Sequence, residues 1–454
     1  MGPMLAPGKK TYIGLFTVTL ATLTYEILLT RIFSVTMWYH YAFVAISVAM
    51  FGMTVGAILV YLLPNYFTQE KVKYHLSLSS LLFAVSIVFS FLTHLHIHFI
   101  TSTSLAGLCS MALTYVVVSV PFIFSGICVC LALTRFTPYV SKLYAADLAG
   151  AALGCLALIY VLRITDGPTA VIVVALLAGV GAVLFASEAG ANKLKRIAVI
   201  SSLLFASVAI VNTVLVNWKS PLLRLMWVKG GLEDCPLYEK WNSFSRISIT
   251  GDPREPKKPF AWGLSSVYPS NRKARWLSMK IDATAETPLT LFLGDLNDLE
   301  YLKYDVTNLV HYIRPDAKVL VVGTGGGRDI LSALAFHQKR IIGVEINKDI
   351  IEAVNGRFGD FTGHLDKDPR VIFINDEARS YIAKQTDEFD IIQVSLIDTW
   401  AATAAGAFVL TENSLYTVEA WKIFLEHLTG NGVLTFSRWY FRDRPGEVYR
   451  LTSL

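Results

Sequence analysis

Residues 318–347, KVLVVGTGGGRDILSALAFHQKRIIGVEIN, read as strand, glycine loop, helix and strand. Residues 318–323 form a short valine-rich run of the kind buried in a parallel sheet. Gly323, Gly325, Gly326 and Gly327 follow at once, then a helical pattern carrying Ile330, Leu331, Ala333 and Leu334, then a β-branched run that ends on Glu345. A tight glycine turn at the carboxyl end of a strand lets a ligand approach the backbone, and the helix start offers free N–H groups. A carboxylate at the end of the second strand accepts hydrogen bonds from both hydroxyls of a ribose. The spacing is G-x-G-x-G, with Arg328 where a dinucleotide fingerprint requires its last Gly or Ala. The stretch therefore predicts a site for an adenosyl-sulfonium nucleoside, which has no pyrophosphate to cradle, rather than for NAD. The alternative is a turn with a purely structural role, and the acid in register with loop and helix argues against it.

Working outward, the alternation of strand and helix continues. Residues 370–375 (RVIFIN) predict a third strand ending at Asp376 and Glu377, where an acid is placed to meet an adenine amino group. Residues 389–397 (FDIIQVSLI) predict a fourth, ending at Asp398, and residues 432–439 a fifth. In an open parallel sheet the carboxyl ends of the strands gather at one edge, where ligand sits. Residues 399–411, small and flexible, read as a lid over that edge. A helix with Tyr416, Ala420 and Phe424 at helical spacing is expected over 412–428. The chain stops just inside another helical pattern, so the sheet is expected to be incomplete at its C-terminal side. Ahead of the glycine loop, short β-runs at 243–250, 275–281 and 289–293 predict a small β-subdomain. Asp295, Asp298, Glu300 and Asp305 then form an acidic approach, read either as a solvated loop or as a site for a cationic substrate.

The first half of the chain has a different solvent. Of the 454 residues, 54% are hydrophobic, and the excess lies almost wholly before residue 219. Seven candidate spans run over 12–35, 41–63, 76–92, 108–133, 143–162, 169–186 and 197–216. Most reach the roughly 20 residues a helix needs to cross a hydrocarbon core. Pro121 is expected to kink the fourth. Gly52 with Gly56 and Gly150 with Gly154 are small-xxx-small pairs suited to close helix packing. Glu26 and Arg31 lie near a helix end, where snorkelling is cheap, and Asp147 sits early in its span. His94, His96 and His98 alternate without a fourth ligand nearby in sequence, so no metal is expected. Lys9, Lys10, Lys71, Lys73, Arg135, Lys142, Lys193, Lys195 and Arg196 fall in alternate loops, which predicts a cytoplasmic N-terminus. Seven crossings then put the second half on the opposite side, away from an adenosyl-nucleotide pool, a conflict that one non-crossing or one hidden span would remove. Residues 218–230 are too short and basic to cross and read as an interfacial linker. The net charge of +5 belongs largely to these loops and does not predict nucleic-acid binding. Four of the five cysteines lie in apolar spans and Cys235 stands alone, so no disulfide framework is expected. The first apolar run is too long for a cleavable signal peptide. The fold class expected is an α-helical transmembrane bundle (1–218), a linker and β-subdomain (219–305), and an α/β Rossmann-like sheet of the methyltransferase and spermidine-synthase type (306–454). Such a chain is a multi-pass protein of the inner or plasma membrane, with the lipid bilayer as a partner.

The segments VLVVGTGGGRD, GVEIN, NDEARSYI, FDIIQVSLID and SLYTVEAW, in this order and spacing, resemble the spermidine synthase group of polyamine aminopropyltransferases. The resemblance covers about residues 238–454. YAADLAGAALG in the first half is similar to members of that group fused to a multi-pass region. The resemblance implies decarboxylated S-adenosylmethionine as co-substrate, a polyamine or related amine as acceptor, no metal, and a homodimer. It places Gly323, Gly325 and Gly327 on the sulfonium side, Glu345 on the ribose, and Asp376 or Glu377 on the adenine. The Glu377-Ala378 pair stands where the group usually has Asp-Gly. The group carries D-S-S-D-P after the fourth strand, its first Asp acting as base. Here Ser395 replaces that Asp and the second acid is retained as Asp398, which takes the catalytic role. Serine accepts no proton at neutral pH without a base beside it. Tyr301 or Tyr304 fills the tyrosine-containing substrate motif, and Tyr416 with the acidic approach binds the polyamine. Two further readings follow from the same residues. One is a methyltransferase that uses S-adenosylmethionine on a membrane-associated substrate, with Arg328 as partner for the methionine carboxylate. The other is a transporter or sensor whose nucleoside domain binds without turnover.

Overall fold

A computed structural model describes residues 6–37, 41–100, 104–397 and 415–453, except 439, 441 and 444. The chain divides into two compact units, one holding the long helices and the other both larger sheets.

Among its described residues the first unit has seven helices long and apolar enough to cross a membrane. They are α1 (Lys9–Thr36), α2 (Ala42–Leu62), α3 (Val72–His96), α4 (Leu105–Arg135), α5 (Val140–Ile164), α6 (Gly167–Ala189) and α7 (Asn192–Asn217). Each predicted span lies within or close to one of them, and most helices reach further than the hydropathy alone shows. Their ends are capped locally. Ser104 accepts from Gly107 N–H at 3.2 Å at the start of α4, and Asp166 accepts from Thr169 N–H at 2.9 Å beside Pro168 at the start of α6. The start of α1 is closed from a distance: the Glu188 carboxylate accepts from the N–H groups of Gly8 (2.6 Å) and Thr11 (2.9 Å), satisfying donors a helix cannot satisfy itself.

Close packing follows the small residues. A Cβ on Gly52 or Gly56 would come within 2.6 and 2.3 Å of the Ser119 and Ile123 carbonyl oxygens of α4. Gly150 and Gly154 lie just as tightly against the Phe16 and Leu20 carbonyls of α1. Helix backbones approach this closely only where side chains are absent, and threonine hydroxyls then bridge them. Thr19 and Thr24 of α1 donate to the carbonyls of Asp147 and Gly154, each at 3.1 Å. One expectation is corrected: Arg31 is 2% exposed, buried among helices rather than extended to an interface. Pro121 lies inside α4, which runs as one helix to Arg135. After α7 the linker carries a small hairpin, β1 (Trp227–Val228) with β2 (Gly231–Leu232), and no helix.

The second unit opens with a sheet of order β3 (Tyr238–Trp241), β4 (Arg246–Thr250), β5 (Trp276–Ile281), β6 (Ala285–Thr290). The third strand expected at 289–293 is instead β6, four residues earlier. Its register, Ile281 opposite Ala285 and Trp276 opposite Thr290, is set by a turn in which Asp282 and Ala283 take φ of +43° and +71°. Asp282 is held there by accepting the Arg246 N–H at 2.7 Å. Pro288 is tolerated because β6 is an edge strand. A 3-10 segment (Leu296–Tyr304) and the short α8 (Leu309–Ile313) lead into the main sheet.

That sheet is parallel, with order β11-β10-β7-β8-β9. Its strands are β7 (Lys318–Val322), β8 (Arg340–Val344), β9 (Val371–Ile374), β10 (Phe389–Ser395) and β11 (Leu428–Ser437), joined through α9 (Arg328–Ala335), α10 (Lys348–Glu352), α11 (Gly359–Thr362), α12 (Ala378–Ala383) and α13 (Val418–Glu426), with α14 (Gly446–Thr452) after β11. Alternation along β7 splits the core. Val319 and Val321 pack with Ile330, Leu331 and Leu334 of α9, whereas Leu320 and Val322 pack with Ile382 and Phe424 on the opposite face. The chain runs from β7 outward to β8 and β9, then returns to β10 on the other side of β7. The crevice where the strand order reverses therefore lies between the carboxyl ends of β7 and β10.

Candidate functional site

The glycine loop after β7 adopts left-handed backbone that favours glycine at three positions: φ is +75° at Gly323, +48° at Gly325 and +85° at Gly327. The fourth, Gly326, has ordinary φ but no room. A Cβ there would lie 2.1 Å from the Pro288 carbonyl oxygen of β6. The Gly326 N–H donates to Thr287 Oγ1 at 3.1 Å, so the antiparallel sheet fixes one side of the loop.

Glu345, at the end of β8, is 6% exposed. One carboxylate oxygen accepts the Gly325 N–H at 3.2 Å and the other the Asn347 N–H at 3.0 Å. Burial pushes its carboxyl up, and these backbone donors pull against that shift. The structure thus brings Gly323, Gly325, Gly327 and Glu345 to the neighbouring carboxyl ends of β7 and β8, with the acid hydrogen-bonded to the loop at Gly325.

The acids after β9 divide. Glu377 caps α12, accepting from Arg379 N–H (3.0 Å) and Ser380 N–H (2.8 Å). Asp376 accepts the Glu377 N–H at 2.8 Å and lies 3.6 Å from the Lys384 ammonium. Capping occupies the Glu377 carboxylate, which leaves Asp376 as the more available acceptor. Asp398 and the expected lid, 399–411, lie outside the described residues.

The three tyrosines are not gathered. Tyr301 is buried in the core on the α9 side of the sheet, its hydroxyl 3.3 Å from Thr290 Oγ1. Tyr304 is half-buried and packs on Tyr268 with ring centroids 5.1 Å apart. Tyr416 belongs to the opposite face, beside Phe436, with the Arg438 guanidinium 4.6 Å over its ring.

The acidic approach is corrected at its last member. Asp305 is buried, and its carboxylate pairs with Arg328 while accepting the N–H groups of Trp262 (2.8 Å), Gly263 (3.2 Å) and Thr307 (3.0 Å). Asp295 caps the 3-10 segment by accepting the Asn297 N–H at 2.9 Å, and Asp298 and Glu300 are exposed. Arg328 is 3% exposed. Besides Asp305 it pairs with Asp329 at 3.0 Å and donates to Thr307 Oγ1 at 3.3 Å. A guanidinium so engaged is not free to meet a ligand carboxylate. Sequence reasoning missed this buried Asp305–Arg328–Asp329 group because its first partner lies 23 residues away; the adjacent Arg-Asp after the glycines was its only local sign.

Removing the cation would strand two carboxylates. Arg328→Met is expected to lower the unfolding free energy of the protein by about 3–5 kcal/mol, the usual result of breaking a buried ion pair from one side. Urea titration followed by tryptophan fluorescence measures it, and a loss under about 1 kcal/mol would contradict the pairing.

The parallel sheet, its reversal beside the glycine loop, and Glu345 at the next strand end define a Rossmann-like α/β domain. Residues 302–437 match the family model of the spermine/spermidine synthase domain. The chain thus joins seven long apolar helices to a spermine/spermidine synthase-like domain. It is 33% identical over 117 residues to a polyamine aminopropyltransferase of Hydrogenobaculum sp. (strain Y04AAS1), a match covering 25% of this chain and 38% of the relative. The chain thus spans under two fifths of that relative's length. Among solved structures, spermidine synthase in complex with the transition-state analogue AdoDATO is 18% identical with a TM-score of 0.31, and the match covers 48% of this chain and 63% of that one. Spermidine synthase from Thermotoga maritima is 19% identical at the same score and coverage. A putative methyltransferase from Escherichia coli is 17% identical with a TM-score of 0.20, over 32% of this chain and 68% of that one.

Proposed function

We propose that this protein is a membrane-embedded aminopropyltransferase. Its donor is decarboxylated S-adenosylmethionine and its acceptor a polyamine or related amine. The observation that carries the reading is Glu345, buried and hydrogen-bonded to the glycine loop within the stretch that matches the synthase family. The adenosine binds over Gly323, Gly325 and Gly327, with its ribose on Glu345 and its adenine toward Asp376. The sulfonium is its own leaving group, so the protein's task is to position the amine and remove a proton. Asp398 is the acid that the sequence assigns to that step. The seven long apolar helices support a bilayer anchor for the chain, the lysine-rich loops support a cytoplasmic N-terminus, and a homodimer is expected from the resemblance.

Arg328 disfavours the methyltransferase reading, because its engagement with Asp305 and Asp329 occupies the cation which that reading assigns to the methionine carboxylate. Ser395 in place of an acid is the one feature that favours binding without turnover.

Calorimetric titration of the purified full chain with decarboxylated S-adenosylmethionine, S-adenosylmethionine and methylthioadenosine tests the proposal. The decarboxylated form and methylthioadenosine are expected to bind at least about tenfold more tightly than S-adenosylmethionine, a difference of about 1.4 kcal/mol. The reverse order would support methyl transfer, and no binding would remove the nucleoside site.

A further inference from the structure

Ser395 stands where an acid is expected to act as base, and the fold brings a buried carboxylate from another element toward that position. Ser395 is the last residue of β10, and the preceding pair in the ladder is Val394 opposite Val322. Ser395 therefore stands across from Gly323, at the crevice where the strand order reverses, and it is partly exposed there. Behind it, in the first turn of α9, lies Asp329, 6% exposed. Gln393 Nε2 donates to Ser395 Oγ at 3.3 Å and to the Thr307 carbonyl at 3.4 Å, and Arg328, paired with Asp329, donates to Thr307 Oγ1 at 3.3 Å, so Ser395 and Asp329 share one polar cluster in which the hydroxyl pulls the Asp329 carboxyl down. A half-exposed hydroxyl backed by a buried carboxylate is the arrangement that lets serine pass on a proton.

We propose that Ser395 and Asp329 form the proton relay for amine activation, Ser395 touching the substrate and Asp329 accepting the proton through it. This deepens the aminopropyltransferase reading and rests on it, and it moves the acceptor from Asp398 to Asp329. The substrate amine arrives as an ammonium. One of its protons passes to Ser395 Oγ as the hydroxyl proton of Ser395 passes to the Asp329 carboxylate. The freed nitrogen lone pair forms the C–N bond to the aminopropyl carbon while the C–S bond breaks. The bonding pair stays on sulfur, and neutral methylthioadenosine leaves. The product departs as a secondary ammonium, and Asp329 returns its proton to solvent through Ser395.

The surroundings of Asp329 suit the task. Burial pushes its carboxyl up, against the pull of the Arg328 guanidinium and the Ser395 hydroxyl, while the charge of Asp305 adds to the rise. Tyr301, on the 3-10 segment packed against α9, is also pushed up by burial and remains neutral through the working range. A carboxylate raised toward the operating pH is a better base than a free one.

The test measures kcat for aminopropyl transfer against pH. Asp329→Asn and Ser395→Ala are each expected to lower kcat by about 100-fold or more, the usual worth of general-base catalysis. Both are expected to abolish the acid limb of the profile and to leave methylthioadenosine affinity within about threefold. Ser395→Asp places a carboxylate directly at the crevice. In the Asp329→Asn background it is expected to restore kcat to within about tenfold and to bring the limb back, which a merely structural role for Asp329 would not do. If the unaltered protein transfers no aminopropyl group, the functional reading falls and the relay with it. Turnover that survives both single variants overturns the relay alone. A limb lost in Asp398→Asn and retained in Asp329→Asn makes Asp398 the acceptor and also overturns it.

Discussion

Glu345→Ala is expected to weaken methylthioadenosine binding by about 100-fold or more. In the proposed complex the carboxylate accepts from both ribose hydroxyls, and hydrogen bonds to a charged group contribute about 1.5–3 kcal/mol each. The loss is larger than for a surface acid because Glu345 is buried and already oriented by Gly325 and Asn347, so no ordering of the side chain offsets its contribution. The variant also releases the Gly325 N–H, so the loop loses its anchor along with the ribose. Burial raises the Glu345 carboxyl, which fixes the sign of the pH dependence. The ionised form binds the ribose, and a raised carboxyl protonates at higher pH than an ordinary glutamate. Affinity should therefore fall on acidification, beginning above the usual glutamate range, and Glu345→Gln should flatten that dependence. Binding within about threefold of the unaltered protein in Glu345→Ala, by calorimetry, would remove Glu345 from the site.

Gly326→Ala is expected to be the most damaging single-methyl substitution in the synthase-like unit. The added carbon would meet the Pro288 carbonyl oxygen at 2.1 Å and its carbon at 2.7 Å. These are backbone atoms of β6, paired along their length with β5, and they cannot yield as the end of a flexible side chain can. Moving the loop instead would break the Gly326 N–H bond to Thr287 and disturb Gly325, which holds Glu345. A loss of about 3 kcal/mol or more is expected, above the ordinary range for overpacking, with nucleoside binding lost alongside it. Gly356→Ala is the matched control. Nothing lies within 4 Å of its Cβ position, so a change within about 0.5 kcal/mol is expected. Equal effects at the two positions, measured as urea midpoints, would show that β6 does not clamp the loop.

What the sequence disclosed depended on how local the cause was. The strand, glycine loop and Glu345 were legible because valine runs, glycines and a terminal acid fall within 30 consecutive residues. The seven long helices were legible because hydropathy integrates over a whole span. The position of β6 was not. Its turn uses Asp282 and Ala283 in a conformation usually reserved for glycine, and that choice is made by the Arg246 N–H on a neighbouring strand. Arg31 was misplaced for a related reason, since proximity to a helix end in sequence does not reveal which face the other helices cover. Asp305 read as one of four acids of a solvated loop or a cationic-substrate site because its cation, Arg328, is distant in the chain. Asp376 and Glu377 read as alternative ligands to adenine, and only the start of α12 shows the Glu377 carboxylate accepting from backbone N–H groups. Asp329 carried only the sign of its adjacent arginine until β10 was placed beside β7.

The central claim is that this protein transfers an aminopropyl group. The most direct measurement is incubation of the full chain, in lipid nanodiscs, with decarboxylated S-adenosylmethionine labelled in its aminopropyl carbons and with putrescine, followed by mass spectrometry of both products. The account predicts label on the amine and one methylthioadenosine released per label transferred. Unlabelled amine after prolonged incubation, or methylated amine when S-adenosylmethionine is supplied instead, would contradict it.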